Sequence, residues 1–440
     1  MSFARGRMPQ KTIRTERIPY VGPYLVRLLL ATVSLLIVLN VSAQQRIPLT
    51  LGAAEDLALE QEPGRDALLA QAEAYDEESV AVGQLPDLKL RLGLANYPLE
   101  HGGFTTEGMT QAQLGLRMEV PRGGKLEAST RQYESLAVEM RESADERSRD
   151  VLTSVRNAWL NTYYWQRTRR IVDEVRPFFA DLVTVTRSLY SVGSRNQQDL
   201  LRAELELSRL DDRLIDINNQ HRRAIAVLSE WIGREADRPI AENLPSWQTA
   251  PSLATMQSSL LGHPAVRAAE ARIEAKEARI DVAEEDYKSG WVWDLGYGYR
   301  DGRLPDGTSR SDFISLSVTM DLPFFQENRQ DRRLASAFSE RRAAEASKTE
   351  LLRRLNSQLE AEYAQWVELD KRIELYEQQI LTLAENNAQA ALVAYQSDAA
   401  DFADVMRAYI DDLNTRVDHI RLQVERAQSY ATLANLGGLP

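Results

Sequence analysis

Apolar positions along the chain change period in the same order in each half. From 52 to 84 they keep helical spacing, broken near the start by Glu62-Pro63-Gly64. In 88–95 the period falls to two, with Leu88, Leu90, Leu92 and Leu94 alternating with Lys89, Arg91, Gly93 and Ala95. In 113–120, Leu114, Leu116, Met118 and Val120 alternate with Gln113, Gly115, Arg117 and Glu119. A loop rich in Gly and Thr joins the two runs, so they predict a β-hairpin with one apolar face. After Pro121 and Gly123-Gly124 a helical pattern runs over 126–188 with one proline, Pro177. At 1.5 Å per residue it would span roughly 90 Å. A return helix comes next, whose Leu207, Leu210, Leu214, Ile217, His221, Ala224, Leu228 and Trp231 form a heptad seam that ends at Gly233.

The second half repeats the order. A helix is expected over 253–286, again with a proline near its start, His263-Pro264. Trp291, Trp293, Leu295, Tyr297 and Tyr299 then share one strand face, opposite Asp294, Gly296, Gly298 and Arg300. Ile314, Leu316, Val318, Met320 and Leu322 alternate with Ser315, Ser317, Thr319 and Asp321, and Pro323 succeeds them as Pro121 does Val120. A helix is expected over 327–394, with Leu352, Leu355, Leu359, Trp366, Leu369, Ile373, Tyr376, Ile380 and Leu383 in heptad register. The last helix carries Leu413, Val417, Ile420, Val424, Ala427, Ala431 and Ala434, and closes at Gly437-Gly438. The chain therefore reads as helix, strand hairpin, long helix, turn and long helix, twice. The repeats span 44–236 and 253–440, and a linker at 237–252 carries Pro239, Pro245 and Pro251.

Two turns organise this plan. The first is Tyr190-Ser191-Val192-Gly193-Ser194-Arg195, running into Asp199-Leu200-Leu201. A weaker copy, Tyr395-Gln396-Ser397-Asp398 with Asp401 and Asp404, lies 205 positions later. Gly193 suits a positive φ or a close backbone approach. Asp398, Asp401 and Asp404 recur every third residue and are expected on one helical face.

Composition narrows the class. The chain has no cysteine, which excludes disulfides, cysteine nucleophiles, thiolate metal sites and a lipidated N-terminal cysteine. Residues 1–43 hold six basic residues and one acidic one, then an apolar run from Leu28 to Leu39 and the small residues Val41-Ser42-Ala43. This predicts a secretory signal peptide over 1–43, with Met8 as an alternative start. The run is too short for the roughly 20 residues of a spanning helix. The net charge of −12, less that leader of +5, leaves a mature chain near −17. Such a surface is unsuited to nucleic acid. Four histidines, His101, His221, His263 and His419, are scattered without ligand spacing, so no metal site and no cofactor are expected. No catalytic constellation stands out, and an enzyme is not expected.

Strands of about ten residues with one apolar face match a tilted membrane strand. Four of them cannot close a barrel, and open edges cannot sit in hydrocarbon. If membranous, the barrel must be shared between subunits, and three copies would supply twelve strands. The long seams in turn need partners of like length, in this chain or in its neighbours.

Over about 50–437 the chain closely resembles the TolC-like outer membrane efflux protein family. The carriers are the duplicated architecture, the first turn with Asp199-Leu200-Leu201-Arg202-Ala203, and Ser317-Val318-Thr319-Met320-Asp321-Leu322-Pro323-Phe324-Phe325. The resemblance implies a mainly α fold with a small β portion, in which duplicated helical hairpins form a trimeric α-barrel and four strands per subunit enter a shared 12-stranded transmembrane β-barrel. It implies a homotrimer in the outer membrane with a long periplasmic portion, in contact with outer membrane lipid. It implies a periplasmic adaptor and an inner-membrane pump, proton-driven, as partners, with no catalysis by the duct. It points to Tyr190, Val192, Gly193, Ser194, Arg195, Tyr395 and Ser397 as an adaptor-docking turn. It also points to Asp398, Asp401 and Asp404 as an acidic ring at the entrance. Asn328-Arg329-Gln330-Asp331-Arg332-Arg333 is similar to the heavy-metal cation branch, so metal cations, otherwise drugs, are the expected substrates. Type I protein secretion and a periplasmic coiled-coil scaffold are the alternatives.

Overall fold

The computed structural model describes residues 47–438 except Gln61, Arg195, Gln248 and Asp398. The expected signal peptide lies outside the described residues, as do two predicted site positions, Arg195 and Asp398.

Each half starts with a short helix and a proline-started helix. Helix α1 is Leu51–Glu60 and α2 is Pro63–Val82. Their counterparts are α5, Leu253–Ser259, and α6, Pro264–Glu285. The prolines sit at the first helical position, where a missing N–H costs nothing. The residue before each caps the helix with its side chain. The Glu62 carboxylate accepts from the Gly64 N–H at 2.9 Å, and His263 Nδ1 accepts from the Ala265 N–H at 3.2 Å. Both caps are buried. Glu62 also takes the Arg147 Nε at 3.0 Å.

The period-2 runs form one antiparallel sheet in the order β1-β2-β3-β4: Lys89–Ala95, Gln111–Val120, Trp291–Tyr299 and Phe313–Met320. The central pairing joins the two halves, with Leu116 opposite Leu295 and Arg117 opposite Asp294. Neither β1 nor β4 has a neighbour on its outer edge within the described chain.

The long elements repeat to the residue. Helix α3 is Lys125–Ser191, 67 residues, and α4 is Gln197–Ile232, 36 residues. In the second half α7 is Gln330–Leu375, a π-turn occupies Tyr376–Ile380, and α8 is Leu381–Gln396. These segments of 46, 5 and 16 residues together equal the 67 of α3. Helix α9, Phe402–Gly437, matches α4 at 36 residues. At 1.5 Å per residue α3 is about 100 Å long.

The heptad seams mostly hold. Leu210, Ile217, Ala224 and Leu228 are buried on α4, and the seven predicted positions of α9 are all buried. The seam of the second long helix is corrected at its end, because Leu383, expected inside, is 65% exposed. A π-turn inserts one residue into the helical ladder and rotates the remainder of the helix by about 100°. Below it the buried positions of α8 become Ala388 and Tyr395.

The proline-rich linker is pinned along the helices. Gln166 holds the Ile240 backbone from both sides, its amide donating to the carbonyl at 3.0 Å and its oxygen accepting the N–H at 3.2 Å. Leu49 pairs with Ile240, and the buried Trp159 donates to the Leu49 carbonyl at 3.0 Å. Trp247 stacks on Tyr430 at 5.0 Å. No helix among the described residues is long and apolar enough to cross a membrane.

Candidate functional site

Three places carry chemistry: the two turns, the sheet, and the junction between sheet and long helices. The turns lie at one end and share a core. Phe179, Leu182, Val183, Ala203, Tyr395, Phe402, Val405 and Met406 pack in a single cluster there. Arg187 bridges to Glu204 at 2.8 Å across the first hairpin, and Phe178 stacks on Tyr409 at 4.0 Å between hairpins.

Both turns use the same hydrogen bonds, shifted by 205 residues. The Ser194 N–H donates to the Leu189 carbonyl at 2.9 Å, as Ala399 does to Ala394 at 2.8 Å. Such six-to-one bonds close a helix in a Schellman turn. The N-caps Asn196 and Asp401 have near-identical φ, ψ of −79°, 152° and −78°, 151°. Gly193 has φ +77°, a conformation that favours glycine, and a Cβ there would touch nothing within 4 Å.

The predicted docking residues divide. Tyr190, Val192, Gly193 and Ser194 are exposed, Val192 at 71%. Ser397, the counterpart of Val192 in the second turn, is also exposed, and its hydroxyl donates to the Val393 carbonyl at 3.0 Å. Tyr395 is corrected: it is buried, edge-on to Phe402 at 5.5 Å, so its ring packs the turn from inside while that of Tyr190 is exposed. The acidic face is corrected too. Helix α9 begins at Phe402, so Asp401 is its N-cap and only Asp404 lies on the helix. Both are exposed, and Asp404 pairs with Arg407 at 3.1 Å.

The sheet has two opposite faces. On one, Leu90, Leu92, Leu94, Leu114, Leu116, Trp293, Leu295, Ile314 and Leu316 are all exposed and contiguous through the strand register. No helix of the described chain covers them. The other face is polar. Lys89 meets Glu119 at 2.6 Å, and Arg117 grips Asp294 with two bonds of 2.7 and 3.2 Å. Gly93, Gly115, Gly296 and Gly298 leave the middle of this face low.

Asp286 is the hub of the junction. Its carboxylate takes Lys125 at 2.9 Å and Arg333 at 3.2 Å, and its carbonyl accepts from Arg122 at 2.8 Å. Burial opposes its ionisation, yet Lys125 and Arg333 outweigh that and hold the carboxyl below its usual range. Beside it, the Gly124 N–H donates to Glu285 at 2.7 Å. Gly123 has φ +48°, a conformation that favours glycine, and a Cβ there would lie 1.8 Å from the Glu285 carboxylate and force it aside. The starts of α3 and α7 are thus tied to the end of α6. Sequence reasoning missed this hub, because its members are remote along the chain; the paired prolines after the strands were the available signal.

His221 is half-buried in its seam, and burial lowers its pKa. Among the described residues no three His, Asp or Glu come together as metal ligands.

Several solved proteins share this architecture. The outer-membrane channel OprN is 17% identical, aligned over 89% of this chain and 90% of its own, with a TM-score of 0.75. The outer membrane protein VceC of Vibrio cholerae is 19% identical over 89% and 97%, TM-score 0.74. CusC, described for conformational changes in folding and transmembrane channel formation, is 16% identical over 87% and 91%, TM-score 0.74. These likenesses concern the fold. No curated protein matches the chain by sequence. The outer membrane efflux protein family matches twice, over 58–234 and 255–439, one match in each half. With most of its length so matched, the chain belongs to the outer membrane efflux protein family.

Proposed function

We propose that three copies form a passive exit duct in the outer membrane. Their twelve strands close a barrel, and their helical hairpins continue it as a tunnel through the periplasm. The observation that carries this reading is the sheet: one face is wholly apolar and exposed, and both edges are open. Hydrocarbon can meet that face only if every edge is paired, and pairing β1 of one copy with β4 of the next does so. A scaffold that kept this face in water would expose an apolar patch far beyond what soluble proteins carry.

In this arrangement the first turn docks a periplasmic adaptor through Tyr190, Val192, Gly193 and Ser194, with Arg195 and Ser397 as further proposed contacts. An inner-membrane pump, proton-driven, supplies the substrate. Asp401 and Asp404, with Asp398, line the entrance, and the Arg407 beside Asp404 moderates its charge. Heavy-metal cations, otherwise drugs, are the proposed substrates, on the likeness at 328–333. The test is to isolate the protein from outer membranes and add it to planar bilayers. Heat-modifiable trimers that open steady pores support the reading, and a water-soluble monomer without conductance contradicts it. Growth of a deletion strain on zinc, cobalt, copper and drug gradients identifies the substrate.

A further inference from the structure

We propose that Arg91 makes the wall of the strand barrel anion-favouring, so that anionic or uncharged substrates pass more readily than free cations. The inference rests on the duct reading and concerns the polar face, which turns inward when the apolar face meets lipid.

Charges along that wall do not balance. Within the strands its carboxylates, Glu119 and Asp294, are each matched by a cation, and so is Asp321 just past β4. Glu119 takes Lys89 at 2.6 Å, Asp294 takes Arg117 in a two-bond fork, and Asp321 takes Arg122 at 2.9 Å. Arg91 is left over: it makes no ion pair or hydrogen bond among the described residues, and it is exposed. It lies near enough to Asp294 to feel that charge, but the fork from Arg117 has already matched it, so two guanidiniums stand around one carboxylate. The other acids of the sheet region, Asp87, Glu100, Glu107, Asp301, Asp306 and Asp312, lie in the connecting segments beyond the strand ends. Arg300 is occupied there, stacked over Phe313 at 3.6 Å and donating to the Ser311 carbonyl at 2.7 Å.

The neighbours of Arg91 leave its charge open to the lumen. Its register partner is Gly115, which in turn faces Gly296, so within its own copy no side chain directly across the sheet screens it. Beside the Arg117–Asp294 fork, the other polar-face side chains of the groove it lines are Gln113, Ser315, Ser317 and Thr319. Hydroxyls and an amide neutralise nothing. Three copies bring three unmatched guanidiniums to one level of the lumen. Like charges ringed around a pore raise the local concentration of the opposite ion and repel their own kind. A guanidinium also offers forked hydrogen bonds to carboxylate and phosphate groups, which makes such groups the favoured passengers. A bare metal cation would cross this level against the field, whereas an anionic complex of it would not. The sign is opposite to that of the acids at the turn end, so the two ends of the duct would select differently.

The experiment is the reversal potential of single channels in a potassium chloride gradient, for the wild type, Arg91→Gln and Arg91→Lys. The entrance acids are the same in all three, so differences read the barrel wall alone. The chloride-to-potassium permeability ratio is expected to fall about two- to threefold in Arg91→Gln at low salt, less at high salt, where screening shortens the reach of the charge. Arg91→Lys should keep the wild-type value. Open Arg91→Gln channels with an unchanged reversal potential overturn the inference and leave the duct standing. Wild-type protein that passes no current removes the duct reading and this inference with it.

Discussion

The hairpin of α3 and α4 and the hairpin of α7, α8 and α9 agree in length and turn geometry, yet they break their long helix by different means. Pro177 lies inside α3 and cannot donate to the Asp173 carbonyl. Shifted by 205 residues, Asp173 falls on Gln378, inside the π-turn of the other hairpin. Both long helices therefore interrupt their hydrogen-bond ladder at one level, one by losing a donor and one by gaining a residue. The turns differ in the same spirit. Tyr190 and Gln197 of the first are exposed, and their counterparts Tyr395 and Phe402 are buried against each other. The duplication kept the backbone and reassigned the side chains, leaving the first turn an open apolar surface and the second a packed one.

The largest expected effect comes from removing the extra residue of the π-turn. Deleting Gln378 should restore an unbroken helix and rotate α8 by about 100° against α9. That withdraws Tyr395 from its cluster, and limited proteolysis should then cut near the turn end. A deletion variant as resistant as the wild type would show that the π-turn sets no register. Next in size is a matched pair of truncations. Phe402→Ala should cost about 3–5 kcal/mol, as for other buried phenylalanines. Gln197→Ala, at the same place in the other hairpin, should stay within about 0.5 kcal/mol. Equal losses in denaturant unfolding would dissolve the contrast between the turns.

The smallest effect separates the two caps, Glu62 and His263. The His263 cap needs a neutral Nδ1, and burial, helped by the nearby Arg149, lowers its pKa. The unfolded chain thus binds a proton first as pH falls, and stability drops once pH passes below the ordinary histidine value of about 6.5. His263→Asn keeps a capping side chain without the titration. Its melting temperature should fall less than that of the wild type between about pH 7.5 and 5.5. Identical slopes would show that the cap does not titrate in this range.

Much of this was legible in the pattern of apolar positions. Period-2 runs placed the strands and their faces, and the heptad spacing placed the seams of α4 and α9, because the spacing of apolar residues sets which face of each element is apolar. The π-turn was not legible, since Leu352 to Leu383 reads as one unbroken seam and the inserted residue leaves no gap in it. The burial of Tyr395 was hidden by the likeness of the turns, for it depends on Phe402 across the turn. The acids at 398, 401 and 404 looked like a helical face because their spacing is right, but the helix starts only at Phe402. Asp286 and Arg91 owe their roles to partners, present or missing, that only the folded chain brings near.

The central claim is that β1 of one copy pairs with β4 of the next. The chain has no cysteine, so Leu92→Cys combined in turn with Ile314→Cys, Leu316→Cys or Val318→Cys gives a clean background. Within one sheet β1 and β4 stand three strand spacings apart, about 14 Å. A disulfide bridges less than about 7 Å between Cα atoms. Oxidation in the outer membrane should therefore yield covalent dimers and trimers for at least one combination, with the cross-link mapping between different copies. A chain that stays monomeric in every combination, in membranes where the protein is abundant, would contradict the shared barrel.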